Sequence, residues 1–169
     1  MRSYKALFFS LIFSVLTVSM LKSENQPTID HITSNNGLSH NTIRCMLLDT
    51  TGFLWFGSLN GLNRYDGHKI KTLNPVNTSV NSLSSGKIKE LYQDSRGYIW
   101  VRTYSDIIHC YNPYLESFLP LFSSREERQA RHNLFYEDKE KNVWLGGAGS
   151  GCVRISFSGE KIETKQFSA

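Results

Sequence analysis

Cysteine is scarce in this 169-residue chain: Cys45, Cys110 and Cys152 are all it has, and none forms a CxxC pair. That excludes a disulfide-stapled small domain and the paired-thiolate spacing of zinc and redox sites. Phosphate-cradling loops are lacking too, because Gly146-Gly-Ala-Gly-Ser-Gly151 has neither the lysine nor the following helix that such a loop needs. The five histidines (His31, His40, His68, His109 and His132) lie apart, without a His-x-His or His-Glu-x-x-His pair and without a serine or cysteine nucleophile motif. The sequence therefore calls for no metal, no cofactor and no catalytic residue. An excess of one charge is also missing from the body of the chain. Arg2, Lys5 and Lys22 fall in the first 23 residues, which hold no acid, and the remaining 16 basic groups face 15 acidic ones. The pI near 9.0 is thus a property of the N-terminus, and no nucleic-acid partner is expected.

What is present is enough large apolar surface for a core. Apolar residues make up 40% and aromatics 12%, which excludes the composition of a disordered chain. The first 23 residues read as a signal peptide: a short positive head, then the uncharged run Ala6 to Leu21, then Lys22. A helix over those 16 residues spans about 24 Å, short of a hydrocarbon core of about 30 Å. The expectation is an exported, periplasmic protein. Retention as a membrane anchor is the alternative, since no Ala-x-Ala cleavage site follows.

A repeat dominates the rest. Asp49-Thr-Thr-Gly52-Phe-Leu-Trp55 returns as Asp94-Ser-Arg-Gly97-Tyr-Ile-Trp100 and again as Asp138-Lys-Glu-Lys141-Asn-Val-Trp144. The tryptophans are 45 and 44 positions apart, each six residues after its aspartate. Asn36-Gly-Leu-Ser39 is echoed by Asn81-Ser-Leu-Ser84 in the same phase. Within a copy the apolar residues alternate or form short β-rich runs interrupted by Gly, Asn and Asp, which predicts four short strands per copy. In the first copy they are expected at about 41–48, 53–58, 62–66 and 69–73. Asp can bond the backbone two residues on and Gly takes a positive φ, so Asp-x-x-Gly predicts a hairpin turn, with Trp as the packing anchor between sheets. Lys141 stands where glycine is expected, implying either a strained turn or a shifted one.

Four-stranded units at this period predict an all-β fold: a partial β-propeller of about three four-stranded antiparallel blades, preceded by the signal-peptide helix. The expected division is signal peptide 1–23, lead-in 24–35 with a strand of the ring-closing blade over Thr28 to Thr33, blade 1 at 36–80, blade 2 at 81–124 and blade 3 at 125–169. Cys110 and Cys152 fall in corresponding strands of adjacent copies. Three separate buried thiols are the expectation, with a Cys110–Cys152 bond as the alternative.

The run Asn36-Gly-Leu-Ser39, then Asp49-x-x-Gly52-x-x-Trp55-Phe-Gly57-Ser58 and Gly61-Leu-Asn-Arg-Tyr-Asp-Gly67, resembles the two-component-regulator propeller repeat. The second copy keeps Asp94, Gly97, Trp100, Tyr111 and Asn112; the third keeps Asp138, Trp144 and Gly146. The resemblance covers residues 28 to about 167. It implies the extracytoplasmic sensor propeller of hybrid two-component histidine kinases, a non-enzymatic module that recognises glycans or their breakdown products. Kinase, receiver and output motifs are missing from the sequence, so it reads as an N-terminal sensor fragment whose further blades would lie C-terminal.

One departure from the repeat singles out a ligand site. Copies one and three place Gly57 and Gly146 two residues after Trp, whereas copy two places Arg102, followed by Tyr104. Arg beside an aromatic suits sugar hydroxyls or an acidic sugar. Arg102 and Tyr104 are therefore the candidate ligand-binding residues, with an oligosaccharide as the expected ligand; a blade-specific packing change is the plainer alternative. Two further readings are an exported propeller enzyme fragment, a lyase or glycosidase, and a module that completes a ring by self-association. The enzyme reading needs a pair of carboxylates flanking a glycosidic bond. The acids of this chain recur instead at turn positions or in mixed-charge segments.

Overall fold

The turn that returns every 44 or 45 residues decides where each sheet begins. The computed structural model describes residues 29–75, 82–122, 132, 134–147, 151–159 and 161–167. β1 (Ile43–Leu48) runs into Asp49, whose Oδ1 accepts from the Thr51 and Phe53 amides, both at 2.9 Å. Gly52 takes φ +93°, and its amide donates to the Asp49 carbonyl at 3.1 Å. The chain then returns as β2 (Leu54–Ser58). This is the three-residue hairpin loop whose last residue lies in the left-handed region. Asp94 and Gly97 repeat it: Oδ1 accepts from the Arg96 and Tyr98 amides, and Gly97 has φ +86°.

The third copy keeps the same turn without glycine. Lys141 adopts φ +65°, and its amide reaches the Asp138 carbonyl at 3.0 Å. Of the two outcomes expected there, the structure takes the strained one. The cost of a Cβ in the left-handed region is about 1–2 kcal/mol.

Blade 1 continues through β3 (Leu62–Tyr65) and β4 (Ile70–Leu73). Blade 2 holds β5 (Ile88–Gln93), β6 (Ile99–Thr103), β7 (Ile108–Asn112) and β8 (Ser117–Phe118). Blade 3 holds β9 (Leu134–Glu137), β10 (Val143–Gly147), β11 (Gly151–Ser158) and β12 (Lys161–Phe167). Each set forms one antiparallel sheet in sequential order, so the described residues are all-β, a partial β-propeller of three four-stranded blades.

Two cores lie between the blades. Trp55, Leu62, Leu83, Ile88, Ile99, Val101 and Tyr111 fill the space between blades 1 and 2, with Trp55 edge-on to Tyr111 at 5.5 Å. Trp100, Cys110, Val143, Leu145, Val153 and Ile155 fill the space between blades 2 and 3, with Trp100 edge-on to Phe135 and Phe157. Alternation along β2 and β6 is what sends Trp55 and Trp100 to the following blade and Phe56 and Val101 to the other face. A polar clamp recurs at both joins. Gln93, just before Asp94, bonds the amide and hydroxyl of Thr50 in blade 1, and Glu137, just before Asp138, bonds the amide and hydroxyl of Ser95 in blade 2.

The lead-in differs from expectation. Residues 29–33 form no strand, and the chain instead enters a single 3-10 turn, Ser34–Asn36, capped by Thr33 and closed by Gly37 at φ +106°. A strand needs a ladder partner for its amides, and these residues have none among the described residues. Residues 32–169 pack as one unit, and within it Ser39 ties the segment down on blade 1 through the Asn63 side chain. The signal peptide expected over residues 1–23 lies outside the described residues. All three thiols are free, and Cys110 is fully buried.

Candidate functional site

The eight repeat positions singled out by the sequence serve the scaffold. Asp49, Asp94 and Asp138 each accept from the indole of the tryptophan six residues on, at 2.7, 3.1 and 2.7 Å. One carboxylate thus joins a turn to a core side chain. Gly52 and Gly97 carry the positive φ of that turn. Trp55 and Trp100 are fully buried, while Trp144 is partly exposed and leans on Phe167 of its own blade at 5.4 Å.

Arg102 occupies a position that glycine must hold in blade 1. A Cβ at Gly57 would lie 2.4 Å from the Cys45 sulfur and 2.6 Å from Ile88. In blade 2 the residue facing this position across the β5–β6 ladder is Glu90 instead of cysteine. Its carboxylate takes Arg102 Nε at 2.8 Å and a second guanidinium nitrogen. Asp106 takes a third nitrogen at 3.2 Å and also Lys89 Nζ at 2.9 Å. The arginine is 11% exposed, and its charge is neutralised by two carboxylates that themselves reach solvent.

The surrounding loop is built to hold that arrangement. Asp106 adopts φ +59°, and its amide donates to the Thr103 carbonyl. Its own carbonyl accepts from the His132 amide, and the Tyr104 amide donates to the Lys87 carbonyl. The hydrogen bond from Lys89 holds the Asp106 carboxyl below the ordinary carboxylate range, assisted by Arg102. A carboxyl held low cannot serve as a proton donor at neutral pH. Tyr104 is 41% exposed, and the Arg44 guanidinium of blade 1 lies 5.6 Å from its ring centroid.

The structure therefore places Arg102 and Tyr104 at the same end of blade 2 with different partners: Arg102 faces carboxylates, and Tyr104 faces Arg44 and solvent. Glu90, Asp106 and Arg44 were not visible as site residues in the sequence. The signal for Glu90 was the β5–β6 register, which sets it opposite Arg102.

The profile of the two component regulator propeller family matches residues 37–60 and 82–105. Both stretches are similar to two-component-regulator propeller repeats. Both matched stretches run through an Asp–Trp turn, and the turn at Asp138 repeats the geometry outside them. A histidine kinase of Formosa agariphila, P4, is 33% identical over 64 residues, 38% of this chain and 5% of that protein. The extracellular domain of a B. thetaiotaomicron protein described as a hybrid two component system shares the fold, with a TM-score of 0.62 and 23% identity. That alignment covers 81% of this chain and 20% of the other. The chain thus spans a small part of either relative.

Proposed function

We propose that this chain is a ligand-recognising segment of an exported sensor propeller, periplasmic, without enzymatic activity of its own, and belonging functionally to a hybrid two-component system. Its ligand is an oligosaccharide, and the recognition site is the Arg102–Tyr104 end of blade 2. The observation that carries this reading is the departure from the repeat at Arg102. Where blades 1 and 3 use Gly57 and Gly146, blade 2 builds an arginine held by Glu90 and Asp106 beside an exposed Tyr104. Tyr104 offers a ring face for a sugar, and the ionic cluster offers donors and acceptors for its hydroxyls.

The same loop touches the neighbouring blades, through Arg44 over Tyr104 on one side and the His132 amide on the Asp106 carbonyl on the other. A ligand seated there changes contacts of three blades at once, a route by which binding is passed along the propeller.

Isothermal titration of the purified chain with neutral and uronate-containing oligosaccharides tests the reading. Tyr104→Ala and Arg102→Lys are the variants, each checked by thermal melting. Weakened binding in Tyr104→Ala at unchanged melting temperature supports the site. Unaltered affinity in both variants removes it.

A second reading, self-association, is favoured by exposed apolar residues on the two outer blade faces. Met46 and Leu48 are 66% and 67% exposed on blade 1, and Tyr136 is 66% exposed on blade 3.

A further inference from the structure

A groove of about 530 Å3 opens between blades 2 and 3, at the turn between β7 and β8, away from the Arg102 cluster. That volume lies within the range of roughly 300–1,000 Å3 typical of small-ligand sites. Tyr98, Tyr114, Leu115, Leu119, Phe157 and Ile162 line it, and none of the described lining residues is charged. Tyr98 and Phe157 meet edge-on at 5.5 Å, and the Arg96 guanidinium lies 4.4 Å from the Phe157 centroid, so these rings are fixed in place.

The exposure of Tyr114 and Leu115, 71% and 69%, is imposed by the backbone. Asn112 Oδ1 accepts from both of their amides, at 2.9 and 3.1 Å. Glu116, the next residue, sits at φ +51°, a conformation that costs a residue with a Cβ. Its carboxylate is held by Arg64 at 2.9 Å and Lys71 at 2.7 Å, both from blade 1. The turn is thus pinned to blade 1 while it presents an aromatic ring and a leucine toward blade 3. Gly97 leaves space beneath: a Cβ there would come within 3.3 Å of the Tyr114 hydroxyl. Backbone strain and exposed apolar surface maintained together in a rigid turn mark a surface kept for a ligand. On the other wall, Ser158 of β11 pairs with Lys161 of β12.

We infer that this groove is a second carbohydrate subsite, distinct from the Arg102–Tyr104 end, that takes an uncharged sugar ring against Tyr98, Tyr114 and Phe157. The inference rests on the glycan reading above. Aromatic faces supply apolar contact to the C–H face of a pyranose, and the Tyr98 and Tyr114 hydroxyls supply hydrogen bonds to its rim. The described lining residues carry no charge, which favours neutral sugars over uronates.

The test uses the full chain with cellohexaose, xylohexaose and mannohexaose as neutral probes and tri-galacturonate as the charged one, by titration calorimetry. Tyr114→Ala removes an exposed ring and leaves folding intact; Tyr98→Phe keeps the ring and removes one hydroxyl. A neutral hexaose is expected to bind, about tenfold more weakly to Tyr114→Ala and about threefold more weakly to Tyr98→Phe. Neutral-sugar binding that ignores both groove variants but is lost in Tyr104→Ala overturns the subsite and leaves the glycan reading standing. Binding of tri-galacturonate alone does the same. Binding of 1-anilinonaphthalene-8-sulfonate with no hexaose bound shows a merely apolar cleft, and it too overturns the subsite.

Discussion

The indole of Trp55 donates a 2.7 Å hydrogen bond to Oδ2 of Asp49, while Oδ1 of the same carboxylate receives the Thr51 amide, the Thr51 hydroxyl and the Phe53 amide. A residue that shapes a turn thereby also orients the largest side chain of the core between blades. Removing Asp49 leaves a fully buried indole N–H and several turn amides without their acceptor. Asp49→Ala is expected to cost about 2–4 kcal/mol, and Trp55→Phe, which deletes one bond and part of the ring, less. Chemical denaturation of the two variants checks the order. Equal stability of Asp49→Ala and wild type would show that the carboxylate is dispensable.

The same carboxylate makes stability depend on acid. Burial works to raise Asp49, but the bonds from Trp55, Thr51 and Phe53 outweigh it and hold the group below its ordinary value. Asp138 follows the same balance, with Trp144 and Asn142 as donors. For a carboxyl with a depressed folded pKa, the unfolded chain binds protons first as pH falls. Stability is therefore fully present above the ordinary carboxylate range and is lost as pH drops through it toward the folded value. The denaturation midpoint should fall below about pH 4, and less steeply in Asp49→Asn.

Much of this fold was legible because its determinants are local. The Asp-x-x-Gly-x-x-Trp spacing and period-2 alternation are written within seven and six residues, and the strands expected at 41–48, 53–58, 62–66 and 69–73 stand at 43–48, 54–58, 62–65 and 70–73. Residues 29–33, expected as part of a strand, form none, because a strand's existence depends on a neighbour and not on its own pattern. Arg102 was visible as a departure, but its meaning lay across the ladder in Glu90, and no spacing along the chain exposes a register. The groove beside Tyr114 was invisible for the same reason: its walls are 38 to 64 residues apart and meet only through blade packing.

Two histidines add a second pH window. Burial pushes His109 down to about 4, and burial also lowers His132, whose ring stacks on Phe122 with neither nitrogen bonded among the described residues. His109 is neutral in the folded state near pH 6, where an unfolded histidine begins to take up a proton, and His132 shifts in the same direction. Stability should therefore decline as pH falls from about 6.5 toward 4, ahead of the carboxylate transition. His109→Gln flattens this part of the curve. A denaturation midpoint constant from pH 7 to 5 would contradict the burial of both rings.

Lys141 offers a stabilising substitution. It holds φ +65° in the turn where blades 1 and 2 use Gly52 and Gly97. Its side chain is exposed, and its backbone carbonyl, which accepts from Arg96, is unaffected by changing it. Lys141→Gly relieves the left-handed strain at some cost in chain entropy, for a net gain of about 0.5–1 kcal/mol. The reverse change, Gly52→Lys, is expected to lose a similar amount. A lower melting temperature for Lys141→Gly would show that entropy outweighs strain in this turn.

The outer faces make an opposite-sign prediction for self-association. Gln93 and Glu137 clamp the residue after Asp in the preceding blade, at Thr50 and Ser95. The position in blade 1 is Leu48, exposed and unable to accept a hydrogen bond. A join between blade 3 of one copy and blade 1 of another would follow the internal joins except for this clamp, with the Lys139 amide left unmatched. If copies pair in that head-to-tail way, Leu48→Glu supplies the missing acceptor and strengthens the dimer, whereas Met46→Lys weakens it by charging the apolar face. Non-specific association through exposed apolar groups responds otherwise, because both changes then reduce it. Light scattering across a concentration series separates the two, and a weaker dimer in Leu48→Glu would rule out the blade-like join.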